Sequence, residues 1–361
     1  MEWGHSQEGE SLMNHLVKLL SVICLSVSIQ AAHAEEGDVS SGSPLKVESL
    51  HRMPLQQYRS LRLQQHLKEQ AEQKKRVLRS DVSVEEDRPT KYEAVVTYME
   101  QLHAQYSETT ELFDLGLNDD NVMIKGIKIG SGSLNNLVVA THHGNEYGST
   151  EVAKAFAASM AKEPLADQTI YVIPVLNING YNRNSRNETA KGVSYDANRD
   201  YPGPCVSKNT HALNSTRLLA QFVDQKNIVS SMTLHTYFPA ITYPWGVSSS
   251  TTKTDDHTFF QELVKLAATG NNYYLGTSTD VVYPADGTFE DYAYWKHGVW
   301  SLLYEIGTTH SPSPTAIEKV IRETLPGMRL VFKNSQLERS KNHDFKGNCN
   351  ARILSFDPHM E

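Results

Sequence analysis

The stretch LVVATHHGNEYGSTEVAKAFAASMAK, Leu137 to Lys162, decides how this chain folds. Leu137–Ala140 is a short apolar run, the mark of a buried strand, and Ser149–Lys162 reads as a helix. Between them, Thr141–Ser149 holds two adjacent histidines, a glutamate and two glycines, with no strong core former. That turn is either an ordinary surface turn carrying histidine or one half of a metal site. Its position just past a strand gives the second alternative a structural motive.

The same strand-then-helix alternation continues outward. Thr169–Leu176, Ser231–Thr236 and Val299–Ile306 read as strands; Ala212–Asn227, His257–Ala268 and Pro314–Asn334 read as helices. Upstream, Tyr92, Val95, Val96, Met99, Leu102, His103 and Tyr106 fall at helical spacing and give one apolar face. Alternation of this kind predicts an α/β fold: a mixed, mostly parallel central sheet with helices on both faces. No internal repeat interrupts it. The expected catalytic domain spans 90–335, preceded by a linker or short pro-like helical segment at 35–89 and followed by a polar tail at 336–361.

Bulk composition narrows the function. The chain has 361 residues, 39% of them hydrophobic, which is enough for one large α/β domain. A net charge of -8 argues against a nucleic-acid partner, which calls for a basic face. From Met13 the chain reads MNHLVKLLSVICLSVSIQAAHA: Lys18 gives a positive start, Leu19–Ile29 an apolar run, and Ala32-His33-Ala34 an A-x-A cleavage pattern. Residues 1–34 are therefore expected to be a secretory signal, with Met13 an alternative start because residues 1–12 are acidic and polar. The apolar run is too short to stay as a membrane anchor. Cleavage would remove Cys24 and leave Cys205 and Cys349 in an oxidising compartment, where a disulfide is permitted but not required.

In an open α/β sheet, ligands bind beyond the carboxyl ends of the strands. His143 and Glu146, Asn177 and Asn179, His235 and Glu305 all fall at such ends. Alone, a His-x-x-Glu spacing or a strand-end histidine is a weak signal. Glu305 is stronger, because it lies in the apolar strand SLLYEIG, and a buried carboxylate is costly unless it is paired or beside a metal. Two histidines and a glutamate with an open fourth position suit a catalytic zinc. A further carboxylate can then move the proton between water and a leaving amine.

These residues carry a resemblance. Residues 90–335 resemble the zinc carboxypeptidase family of carboxypeptidases A and B, peptidase family M14, and the correspondence runs in order through the domain. His143-Gly-Asn-Glu146 resembles the family's H-x-x-E ligand pair, and TLHTYFPAITYPWG the stretch with the third ligand. The resemblance implies one zinc per chain, held by His143, Glu146 and His235, with His143 rather than His142 in register. LNINGYNRNSR resembles the stretch leading to the arginine that steadies the oxyanion, here Arg186. VSYDANRDYP resembles V-D-L-N-R-N-F-P, so Asn198 and Arg199 inherit the grip on a terminal carboxylate. Tyr237 is implied as a subsite residue, Tyr283 of YPADGTFEDYAY as the substrate-capping tyrosine, and Glu305 of YEIG as the general base and acid.

Two departures bear on specificity. Asn145 stands where digestive members carry an arginine, which removes a charge from an outer subsite. Glu290 follows Tyr283 at the position that floors the side-chain pocket. It either faces the pocket and favours a cationic group, or is a solvated turn residue. The segment before Thr90 is shorter than the folded pro-domain of the digestive enzymes, and Lys74-Lys75-Arg76 gives only a weak processing hint. The expected activity is a secreted or periplasmic zinc metallocarboxypeptidase acting on peptides. The alternative is a peptidoglycan stem-peptide carboxypeptidase or amidase using the same zinc site, since diaminopimelate also offers an amine. The sequence sets no oligomeric state.

Overall fold

The computed structural model describes residues 91–206 and 210–349, together with Pro54, Gln56, Gln57, Ser60, Leu61, Gln64, Leu67 and Lys68. All of them belong to one of the chain's two compact units, residues 44–361. The signal reading of 1–34, the Lys74–Arg76 run and the boundary at 87–89 lie outside the described residues.

In chain order the elements are α1 (Lys91–Gln105), β1 (Thr110–Leu117), β2 (Met123–Ile129), β3 (Leu134–Ala140), α2 (Tyr147–Lys162), β4 (Gln168–Ile173) and α3 (Ile178–Arg183). A small hairpin, β5 (Glu188–Ala190) and β6 (Val193–Tyr195), leads into a single 3-10 turn, Ala197–Arg199. Then come α4 (Asn214–Gln225), β7 (Ser230–His235), β8 (Ala240–Tyr243), α5 (His257–Ala267), β9 (Tyr274–Thr277), α6 (Ser278–Val281), α7 (Phe289–His297), β10 (Trp300–Glu305) and α8 (Pro314–Lys333). Eight strands form one sheet in the order β1-β2-β4-β3-β7-β10-β8-β9.

The inner strands β4, β3, β7 and β10 are mutually parallel. The flanks are mixed: β1–β2, β2–β4 and β8–β10 pair antiparallel, and β8–β9 parallel. The expected α/β architecture is therefore what the chain adopts. Every residue of β7 and β10 is buried, which requires cover on both faces of the sheet. Polar residues in β7 are tolerated because they are satisfied: Ser230 Oγ donates to the Trp300 carbonyl at 3.0 Å, and Ser231 and Ser301 share a 2.8 Å hydroxyl contact. Helix α8 starts on Ser313, whose side chain accepts from the Ala316 N–H, and it packs on α2 and α5. A Cβ at Gly327 would lie 2.0 Å from the Ala267 carbonyl, so only glycine allows α5 and α8 to approach this closely.

Register aligns the functional rim. Ala140 pairs with Leu234, and His235 pairs with Glu305. The carboxyl ends of β3, β7 and β10 thus stop at one level, and the loops that follow them meet there. The region after α8 is more than a loose polar tail. The Trp300 indole donates to the Glu338 carbonyl, Arg339 reaches the carbonyls of Ile228 and Val223, and Cys349 is disulfide-bonded to Cys205.

Candidate active site

His143 and Glu146 stand in the turn between β3 and α2, and His235 is the last residue of β7. Their ligand-type atoms lie within 4.8 Å of one another, and all three side chains are buried. His143 Nδ1 is 2.8 Å from Glu146 Oε1, His235 Nδ1 is 3.0 Å from Glu146 Oε2, and the two Nδ1 atoms are 3.2 Å apart. A tetrahedral zinc with bonds of about 2.0–2.1 Å requires ligand atoms about 3.3 Å apart. Two imidazole nitrogens facing each other and a carboxylate at such spacing are therefore a donor set that fits zinc. His142 turns the other way: its Nε2 meets the Tyr201 hydroxyl at 3.0 Å, and burial pushes its pKa well below the usual range.

The local chain explains the convergence. A Cβ at Gly144 would lie 2.1 Å from the Gly180 carbonyl carbon, so glycine lets the histidine turn press against α3. Asn177 caps α3 by accepting from the Gly180 N–H at 2.8 Å, and its amide donates to the His142 and Arg186 carbonyls at 3.1 Å each. Asn179 exchanges two hydrogen bonds with the Thr189 backbone. The structure places these asparagines not at the end of β4 but at the cap of α3 and inside it, where they are clamps that join the histidine turn to the hairpin.

Arg186 enters from the segment after α3. Its Nε and Nη2 donate to Asp196 Oδ2 at 3.2 and 3.0 Å, and its Nη1 lies 3.8 Å from Glu146 Oε1. Asp196 escaped the sequence reading, although it sits inside the quoted VSYDANRDYP. Its other oxygen meets His143 Nε2 at 3.0 Å and also accepts from the Asn198 N–H. An acceptor on the far nitrogen fixes the tautomer that presents Nδ1 to a metal. Burial opposes the Asp196 charge, but Arg186, then His143 and Arg199, hold its carboxyl well below the usual range. For Glu146 burial is likewise outweighed, by the charges and hydrogen bonds of His143 and His235.

The remaining candidates ring this centre. Asn198 is buried, with Nδ2 3.4 Å from His235 Nε2 and Oδ1 accepting from the Phe289 N–H. Arg199 donates to the Asn198 carbonyl at 2.6 Å, reaches the Tyr283 hydroxyl at 3.4 Å and lies 5.9 Å from that ring's centroid. Tyr237 and Tyr283 pack on one small cluster of Phe238, Ala240, Val281 and Val282, which also takes Leu61 from the upstream helical segment. Glu305 is buried beside His235 in register. Glu290, in the first turn of α7, is 1% exposed and accepts from the Thr233 hydroxyl, so it is not a solvated turn residue.

The family profile of zinc carboxypeptidases matches residues 95–327. Carboxypeptidase B of Astacus astacus is 25% identical over 295 residues, covering 66% of this chain and 94% of that protein. Carboxypeptidase O of Bos taurus is 24% identical over 291 residues, covering 66% and 76%. Among solved structures, carboxypeptidase A from Helicoverpa armigera superimposes with a TM-score of 0.60 at 16% identity, covering 75% of this chain and 80% of that one. Bovine thrombin-activatable fibrinolysis inhibitor does so with 0.61 at 17% identity, covering 67% and 95%. The buried His-Glu-His set, the sheet that carries it and the profile over most of the described chain agree: this protein belongs to the zinc carboxypeptidase family.

Proposed function

We propose that the protein removes the C-terminal residue of peptides, with a preference for a cationic side chain, in a secreted or periplasmic setting. The observation that supports this most is the convergence of His143, Glu146 and His235 beside the buried Glu305, with Arg186 and Arg199 on the same rim. Zinc held by the three ligands supplies a Lewis acid that polarises a carbonyl and makes water more acidic. The chain's own residues do the rest. Glu305 accepts a proton from the attacking water and delivers it to the leaving amine. Arg186, braced on Asp196, donates to the carbonyl oxygen as negative charge develops there. Arg199 offers a planar fork for the terminal carboxylate, with Asn198 as a neutral neighbour and Tyr283 closing over it. Tyr237 flanks the preceding residue. Glu290 supplies the negative charge that a basic side chain meets in the pocket.

The disulfide between Cys205 and Cys349 supports an extracytoplasmic setting, since such bonds persist where the medium is oxidising. Among the described residues no helix is long and apolar enough to cross a membrane. The test is a series of blocked peptides differing only in the last residue, assayed before and after chelation. Activity lost to the chelator, restored by zinc, and highest for basic ends is expected. Equal turnover of the metal-stripped protein would overturn the proposal. Purified muropeptides in the same assay, followed by mass, separate peptide substrates from peptidoglycan stems ending in diaminopimelate.

A further inference from the structure

Glu146 stands at the N-terminal cap of α2, yet its side chain makes no capping hydrogen bond. Its two oxygens face the ring nitrogens of His143 and His235 instead. The first N–H groups of a helix have no partner inside it, so those that Glu146 leaves must be met from outside. The Gly148 N–H is met at 2.9 Å by the carbonyl of His310, in the loop that follows β10. The His310 ring reaches the other flank of Glu146. Its Nδ1 shares a 3.0 Å hydrogen bond with the Thr236 hydroxyl, and the Thr236 N–H donates to Glu146 Oε2 at 3.1 Å. Packing holds the three segments together. A Cβ at Gly148 would lie 3.1 Å from Thr236 Cγ2 and 3.2 Å from Pro312 Cδ, so glycine leaves room for both. The His310 and Tyr237 rings meet edge to face, with centroids 4.9 Å apart.

We propose that His310 is a positioning residue for Glu146: its carbonyl fixes the helix turn that carries this carboxylate, and its ring fixes the Thr236 N–H that holds it. The inference rests on the reading of Glu146 as a zinc ligand. A carboxylate that ligates a metal is steadied by donors to its oxygens, and such outer partners set affinity as the ligands do. Here the donor is a backbone N–H, so its aim is set by the course of the chain. Thr236 is the first residue past the end of β7, where the sheet's ladder no longer fixes that course. The loop after β10 takes over from the ladder. The Ile306 N–H donates to the His235 carbonyl at 2.9 Å, and the His310 ring then holds the Thr236 side chain. One segment thus grips both chains that bring Glu146 and His235 together.

The experiment titrates the metal-stripped protein with zinc in competition with a zinc-binding dye, well below the melting temperature of each variant. His310→Leu removes the ring nitrogens, and Thr236→Val removes the hydroxyl while keeping the branched shape. Each is expected to weaken zinc binding about threefold to tenfold, the worth of one neutral hydrogen bond. The double variant is expected to lose no more than either single one, because both remove the same contact. His310→Asn, whose amide stands where Nδ1 does, is expected to keep the wild-type affinity. A residue that only stabilised the loop would lower the melting temperature and leave the zinc affinity of the folded protein unchanged. Should His310→Leu fail to fold, Thr236→Val carries the test. Glu146→Gln serves as the reference and is expected to weaken zinc binding more than any of these; wild-type affinity there would overturn Glu146 as a ligand. With Glu146→Gln impaired, wild-type affinity in Thr236→Val or in a folded His310→Leu would overturn this inference alone, and so would losses that add in the double variant.

Discussion

Asp196 meets His143 and Glu305 lies opposite His235, and the surroundings of the two carboxylates differ. Asp196 is held ionised by Arg186 and spends both oxygens on Arg186, His143 and the Asn198 N–H. It holds the His143 ring in place, and with both oxygens engaged it is not placed to carry protons. Replacing it with asparagine is expected to weaken zinc binding about 10–100-fold, as loss of a ligand's outer partner does elsewhere. Competition with a zinc-sensitive dye measures this directly, and unchanged affinity would remove the positioning role. Glu305→Gln should behave in the opposite way. Zinc affinity stays, while kcat falls by about 10²–10⁴, the usual worth of a positioned acid-base group. A variant that bound zinc and still turned over at the wild-type rate would show that the proton acceptor lies elsewhere.

At the scale of elements, the β5–β6 hairpin joins Arg186 at one end to Asp196 at the other. Its first residue, Glu188, is fully buried, with Ser215 at the start of α4 donating to one oxygen at 2.6 Å. Burial pushes its pKa up to about 8, and the negative charges of Asp119, Asp120 and Asp200 add to the shift. The folded state therefore holds this proton where the unfolded chain has already released it. Stability from Glu188 is fully present below the unfolded value near 4.5 and is lost as pH rises toward about 8. Glu188→Gln, which stays neutral, is expected to melt at a higher temperature than the wild type at pH 8, with a smaller difference at pH 5. Some pH dependence remains in that variant, because burial also raises Asp291 to about 8. Parallel melting curves that keep the same spacing at both pH values would show that Glu188 is charged in the folded protein.

Across the whole molecule, the segment after α8 works as a strap. It is tied to the first residue of β10 through Trp300 and to the chain before β7 through Arg339, and it carries the disulfide that ties Cys349 to Cys205, 144 residues away in sequence. Cys205 stands just beyond the Asn198-Arg199 turn, whose Tyr201 N–H donates to the Gly287 carbonyl in the loop that follows Tyr283. Closing a loop of this length constrains the unfolded chain by up to about 5 kcal/mol. Cys349 is solvent-exposed, so mild reductant can reach it. Reduction is expected to lower the denaturant midpoint and, if Arg199 and Tyr283 bind the terminal carboxylate as proposed, to raise KM more than it lowers kcat, since the strap is tied to the chain next to that turn. A midpoint unaffected by reduction would show that the strap's hydrogen bonds suffice without the covalent link.

The sequence alone determined what is local. Apolar runs and helical spacing gave the parallel centre β4, β3, β7 and β10 and the main helices, because those strands are buried along most of their length and the helices carry a buried stripe. It missed β1, β2, β8 and β9, where half-exposed or very short strands carry no clear period. The placement of His143 and Glu146 just past a strand end, and of His235 and Glu305 at strand ends, was legible from the strand pattern. Only the tertiary structure decided what depends on partners distant in sequence: Asp196 behind His143, Thr233 on Glu290, Asn177 and Asn179 as clamps, and Cys205 bonded to Cys349. Hydrogen bonds and charge pairs of that kind are short-ranged and directional. Residue type and spacing say that such a group can bond, but the folded backbone alone selects its partner.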